Sequence, residues 1–317
     1  MVRSPRLLLA TFAAALLTAV QGQDVERAIN ASDSLLKLDK PQRALDLLDE
    51  ALAQEPNARA LLARSKAYFM MDRMDRSLLD VEAALRLDST LAEAHYQRGL
   101  YAMSANDLSR AELAGTKAIE FASDELLRQK AYILRGEARA ELKRQGPAIE
   151  DLERGSAGAH VDPEALRTLA RLLDLAGRHE SSLNVLERLC ELEPEDVGHW
   201  TNRGFELIML GRYEEAMPMV EKALSLDKDE PVALSNRAYI HLKLGRDQEA
   251  WHDVERSLRS YPSNPHALRT RALLRLKKGE RSKACEDLAL AKALGDVAEV
   301  NALIKEHCGP EQAPKRR

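Results

Sequence analysis

The sequence predicts an all-α fold assembled from tandem helix pairs, and three observations carry that expectation. Ala, Leu, Arg, Glu and Asp dominate, aromatics make up only 4% of the chain, and no stretch alternates Val, Ile or Thr with polar residues as a half-buried strand would. Small residues recur at Ala44, Ser77, Ala111, Ala148, Ser182, Ala216, Ala250 and Ala284, with spacings of 33, 34, 37, 34, 34, 34 and 34 residues. A fixed period of that length marks a repeat architecture, in which each unit buries its apolar face against its neighbours. Gly177, Gly211, Gly245 and Gly279 keep the same period and divide their repeats into two helical halves, since glycine turns the chain cheaply at a helix end.

In chain order, residues 1–22 stand apart. Arg3 and Arg6 precede the 14-residue apolar run Leu7 to Val20, and small or polar residues follow through Gly22. This is the layout of a secretory signal peptide, with cleavage expected near Gly22 or at Ala19. The run is shorter than the roughly 18 residues of a spanning helix. An uncleaved anchor is the alternative, and no Cys stands at the junction to accept lipid. The expectation is an exported chain, periplasmic or secreted, with no membrane insertion after cleavage. Removing Arg3 and Arg6 takes 47 basic residues to 45 against 51 acidic ones, a formal charge of −6. Such a balance is a poor basis for nucleic-acid binding, which neutralises phosphates, so no nucleic-acid partner is expected.

Eight repeats fill residues 24–298: 24–57, 58–91, 92–125, 129–162, 163–196, 197–230, 231–264 and 265–298. Places within a repeat are counted so that the small residue above is place 20 and the turn glycine is place 15. The inserted Leu126-Leu127-Arg128 predicts a lengthened first helix in the fourth repeat, starting at the N-cap Asp124. Pro163, Pro231 and Pro265 open three repeats, where the first helical turn tolerates a missing N–H; Asp162 and Asn264 precede two of them as caps. Pro218, inside the second helix of the sixth repeat, predicts one lost hydrogen bond and a mild kink.

Comparing the repeats with one another exposes a pairing. Place 7 is Arg64, Arg98, Arg135, Arg203, Arg237 and Arg271; place 23 is Asp80, Asp151, Asp253 and Asp287, and every repeat with that Asp has the Arg. An Arg–Asp pair joining the two helices of four repeats is expected, since planar guanidinium suits a partly buried carboxylate. Residues 299–308 predict a C-terminal cap helix with Val300, Leu303, Ile304 and His307 on one face, and residues 309–317 a disordered tail.

These features resemble the tetratricopeptide repeat family. The best-matched stretches are Trp200-x-x-x-Gly204 with Gly211-Arg212-Tyr213-Glu214-Glu215-Ala216, and Asn236-Arg237-Ala238 with Gly245-Arg246-Asp247-Gln248-Glu249-Ala250. The first repeat departs most, with Ala28, Ser32 and Asp39 at places 4, 8 and 15, as terminal repeats commonly do. The resemblance implies a right-handed α-solenoid of about eight helix pairs with a concave groove. It also implies a protein-binding scaffold, usually without catalysis.

In that family the groove is lined from the first helices. The corresponding residues here include Thr201, Asn202 and Phe205; Ser235, Asn236, Tyr239 and Lys243; and Arg269 and Lys277. No acidic residue stands at a groove place in the last three repeats, although the chain is acidic. This predicts a groove over 197–277 for a protein or peptide partner bearing acidic or carboxylate groups, with Asn202 and Asn236 holding its backbone. The competing reading makes the Asn residues packing groups and the aromatics gap fillers. A structural component of a larger envelope complex, acting through convex or cap surfaces, is the alternative function.

The cysteines are Cys190, Cys285 and Cys308. Cys285 and Cys308 flank the turn after the eighth repeat at similar heights on two antiparallel helices, so a disulfide between them is plausible in an oxidising compartment. Cys190 then stays free as a small buried hydrophobe. The eight His show no metal-ligand spacing, and no nucleophile elbow, dinucleotide fingerprint or phosphate loop occurs. No metal, no cofactor and no catalysis are expected, and the carboxylates are expected on exposed helix faces.

Overall fold

The structure is a computed structural model that describes residues 23–158, 161–295, 297 and 299–309. The expected signal segment 1–22 and residues 310–317 of the expected tail lie outside the described residues. Two compact units divide between Ala165 and Leu166.

In the N-terminal unit, a helix over 23–37 (α1) precedes α2 (Pro41–Gln54), α3 (Ala58–Met70), α4 (Met74–Leu87), α5 (Ala92–Ser104), α6 (Leu108–Phe121), α7 (Glu125–Glu141) and α8 (Gln145–Gly155). Then come α9 (Pro163–Leu175), in whose first turn the division falls, and α10 (His179–Leu192), α11 (Val197–Met209), α12 (Tyr213–Leu226), α13 (Pro231–Lys243), α14 (Asp247–Ser260), α15 (Pro265–Lys277), α16 (Arg281–Leu294) and α17 (Val300–His307). No strand occurs among the described residues. Each repeat is one antiparallel pair, and successive pairs stack within each unit, so the chain is an all-α, solenoid-type repeat protein.

The eight turns share one backbone. Place 15 has positive φ in every repeat, between 54° and 76°, at Asp39, Asp72, Asn106, Lys143, Gly177, Gly211, Gly245 and Gly279. The next residue's N–H donates to the carbonyl five residues back at 2.8–2.9 Å in all eight, as in Arg212 to Leu207. That bond closes the first helix by satisfying a terminal carbonyl.

Starts follow local chemistry too. Asp124 caps the 17-residue α7 by accepting from Leu127 N–H at 2.8 Å. Asp162 accepts from Glu164 N–H at 3.0 Å, and Asn264 from His266 N–H at 3.1 Å. Glu230, ahead of Pro231, caps α13, a role its sequence context does not announce. α12 runs unbroken through Pro218.

Helix pairs approach closely because place 20 is small. All eight of these residues are fully buried, Ser77 and Ser182 included. Ser77 Oγ donates to the carbonyl of Ser65, at place 8 of its partner helix (2.6 Å), and Ser182 Oγ reaches the equivalent carbonyl of Ala170 at 3.1 Å. The two serines are therefore tolerated in a dry position, since their hydroxyls are satisfied. In the sixth repeat, a Cβ added to Gly204 at place 8 would stand 2.5 Å from Val220 Cγ2 on the paired helix. In the C-terminal unit, Val220, Leu234, Ile240, Leu268, Leu274 and Leu288 belong to one continuous core, each contributing about 1.5–3 kcal/mol by burial.

All four expected Arg–Asp pairs form, each with Nε and Nη2 on the two carboxylate oxygens at 2.6–3.0 Å: Arg64–Asp80, Arg135–Asp151, Arg237–Asp253 and Arg271–Asp287. Five of the place-7 arginines, Arg98 and Arg203 among them, also reach back to place 25 of the preceding repeat. Arg64 pairs with Asp49 (2.6 Å), Arg98 with Glu82 (3.9 Å), Arg203 with Glu187 (2.7 Å) and Arg271 with Glu255 (3.5 Å); Arg135 uses Thr116 (3.2 Å). The result in each unit is a ladder of guanidinium groups tying repeat to repeat. It corrects the expectation of exposed carboxylates, because Asp80, Asp151, Asp253 and Asp287 are all buried.

Candidate functional site

First helices α11, α13 and α15 present a shared face in the C-terminal unit. Phe205, Ser235, Asn236, Tyr239 and Arg269 line a cavity of about 360 Å³ there, together with Ile208, Met209, Tyr213, His266 and Glu299. Its centre is aromatic and cationic. The Arg269 guanidinium, on a residue only 5% exposed, stacks 4.0 Å from the Tyr239 ring centroid, and Lys243 Nζ lies 5.0 Å from the same ring. Tyr213 meets Tyr239 edge-on at 6.3 Å, and Phe205 meets His266 edge-on at 5.6 Å. Stacking of a desolvated guanidinium on tyrosine is worth about 2 kcal/mol.

Burial and the neighbouring Arg269 charge push the His266 imidazole down to about 4, so it is neutral at pH 7. Burial lowers the Arg269 guanidinium and raises the Tyr239 phenol. Glu299, at the N-terminal end of α17, completes the site. Its Oε2 accepts from Tyr239 Oη–H at 3.2 Å, and its Oε1 lies 3.7 Å from Lys243 Nζ.

The remaining expected groove residues distribute differently. Thr201 is buried, and its carbonyl accepts from Asn236 Nδ2 at 3.2 Å, so Asn236 both packs between α11 and α13 and borders the cavity. Asn202 is exposed and lines a second cavity of about 420 Å³ with Arg167, Arg171, Asp174, His199 and Glu206. Lys277 is away from both cavities, on Asp247 at 2.7 Å. Cys285 and Cys308 are joined, with Cα atoms 5.6 Å apart, and Cys190 is free and buried.

Sequence reasoning missed Glu299, which enters the site from 60 residues beyond Tyr239. It also missed two clusters that the fold brings together. Asp174, His179 and Glu206, and separately Glu193, Asp196 and His199, hold potential ligand atoms within 4.8 Å. Glu206 is 2% exposed; His179 Nδ1 (2.8 Å) and Ser182 Oγ (2.7 Å) hold its two oxygens, while burial raises its carboxyl above the ordinary range. His199 Nε2 lies 2.7 Å from Glu193, which Arg167 also contacts. Each imidazole is thus already engaged by a carboxylate.

Two segments, 29–92 and 202–265, match the family model described as Tetratricopeptide repeat. No curated protein matches by sequence. Among solved structures, YrrB, "a TPR protein with an unusual peptide-binding site", aligns over 59% of this chain and 95% of its own at 19% identity and TM-score 0.54. A tetratricopeptide repeat protein from Parabacteroides merdae aligns over 80% of this chain and 99% of its own, at 16% identity and TM-score 0.48. The matched segments fall one in each unit, and the same pairing, turn and small-residue register continues outside them; the chain carries tetratricopeptide repeats in both units.

Proposed function

We propose that this chain is a non-catalytic binding scaffold whose first-helix face in the C-terminal unit takes an extended, carboxylate-bearing segment of a partner protein. The tetratricopeptide fold is a protein-interaction scaffold, and the finer reading rests on one observation. A cavity lined by Phe205, Tyr239 and Arg269 from three successive repeats, with Lys243 over the Tyr239 ring, faces first-helix groove places that carry no acidic residue. Tyr and Arg in a partly desolvated pocket are the side chains that anchor interfaces. The peptide-binding site ascribed to YrrB supports the reading by fold alone. Calorimetric titration of an acidic peptide library tests it. Phe205→Ala and Lys243→Glu should each weaken binding at least about tenfold with helicity unchanged; equal binding by all three proteins refutes it.

A second reading, assembly into a larger complex, is favoured by Leu79 and Leu113. Both occupy place 22 of adjacent repeats on second helices and are 63% and 58% exposed. An oligomer or complex that survives Phe205→Ala but is lost in Leu79→Asp would select it.

Export belongs to the same proposal. Arg3, Arg6 and the apolar run to Val20 support it, as does a disulfide that an oxidising compartment would sustain. Mass spectrometry of the N-terminus from the producing cell should find it near Gln23; a chain retaining Met1 in the cytoplasm contradicts export.

A further inference from the structure

Glu299 occupies an unusual place. It is the one residue outside the place-15 turns with positive φ among described non-glycine residues, at 70°, a conformation L-residues rarely adopt. That backbone delivers its carboxylate onto Tyr239 and Lys243, beside the ring that Arg269 stacks on. The surrounding chain is anchored. Val297 and Val300 are buried in the core of the unit, with 4% and 1% exposure. Cys308 is bonded to Cys285 on α16, and Arg281 donates to the carbonyls of His307 and Gly309. The chain therefore presents one acid to a face whose own groove places supply cations only.

We propose that Glu299 is a resident competitor: its carboxylate occupies the Tyr239–Lys243–Arg269 site, and a glutamate side chain of an extended partner segment displaces it. This rests on the groove reading above and adds its regulation. The ligand class comes from the resident group: the site already holds one carboxylate, against Tyr239 Oη and Lys243 Nζ and beside the ring on which Arg269 stacks, so a displacing ligand must offer the same group. A side-chain acid is favoured over a chain terminus because the resident group is itself a side chain presented from a bend. Tethering makes the competition intramolecular, so Glu299 acts at a fixed, high effective concentration. The affinity a partner experiences is the intrinsic one reduced by the fraction of time the site is open.

The test uses the full chain and three hexapeptide probes in fluorescence anisotropy. One is Gly-Ala-Glu-Glu-Ala-Gly with an amidated C-terminus. The second is the Gln-for-Glu version with a free C-terminal carboxylate, and the third is the Gln version amidated. Glu299→Gln should tighten binding of the first probe about tenfold, as when a competitor leaves the site open about one-tenth of the time. Adding Lys243→Met to Glu299→Gln should abolish that gain. Hydrogen exchange in α17 should rise in wild type on adding the first probe and show no such rise in Glu299→Gln. Equal affinity for wild type and Glu299→Gln overturns the competitor while leaving the groove reading intact. Binding of the second probe alone overturns the side-chain assignment. Binding of no probe by either protein, with α17 exchange unchanged by the substitution, removes both readings.

Discussion

Lys143 adopts φ 61° at a turn where four other repeats use glycine. A side chain in the left-handed region costs roughly 1–2 kcal/mol, partly offset by the chain entropy that glycine would lose. Lys143→Gly, at an exposed site, should therefore raise stability by about 0.5–1 kcal/mol, seen as a higher urea midpoint at unchanged slope. Gly211→Ala should do the reverse, by about 1 kcal/mol. At this scale the sequence was half legible. Gly177, Gly211, Gly245 and Gly279 announce their turns, and Asp39, Asp72 and Asn106 are residue types that tolerate the conformation. Lys143 carries no such signal, and only its register in the 34-residue period identifies it.

Within helix pairs, the decisive contacts are the buried Arg–Asp pairs. Asp151 is buried beneath Arg135, with Arg139 Nη1 2.7 Å from it as well. Asp151→Ala should destabilise by about 3 kcal/mol, because two partly buried guanidinium groups then lose a shared carboxylate and keep only Thr116 and Glu112. Adding Arg135→Met should recover part of that loss, which chemical denaturation of both variants will show. The pairs inside a repeat were legible because Arg at place 7 and Asp at place 23 co-occur. The contacts that place-7 arginines make with place 25, at Asp49, Glu82, Glu187 and Glu255, were not. Those contacts join different repeats, and a comparison of places within single repeats is blind to them. The groove shows the same limit. Phe205, Asn236, Tyr239 and Arg269 could be nominated from register, but Glu299 reaches the cavity from outside the period.

Across the molecule, Glu137 in the N-terminal unit and His266 in the C-terminal unit should answer pH in opposite senses. In the N-terminal unit, burial, reinforced by Asp162 and Glu164, pushes the Glu137 carboxyl from 4.5 to about 7. The folded chain thus keeps a proton there that the unfolded chain gives up, and stability falls as pH rises from about 4.5 to about 7. In the C-terminal unit, His266 is held down to about 4 from 6.5, so the unfolded chain gains the proton first. Stability there falls as pH drops from about 6.5 to about 4. Hydrogen exchange on the full chain, corrected for intrinsic rates, should show α7 losing protection between pH 5 and 7 while α15 gains it. Glu137→Gln should abolish the first trend only.

The arginine ladder has a consequence for cooperativity. In a stacked array, repeats melt together only as far as nearest-neighbour coupling carries. Place 7 of the fifth repeat is Leu169, so the arginine that six of the eight repeats carry at this place is missing there, close to the division between the two compact units. Thermal unfolding should therefore depart from a single all-or-none transition, with a calorimetric enthalpy exceeding the van't Hoff value. Agreement between the two enthalpies would mean that coupling passes Leu169 without a place-7 guanidinium.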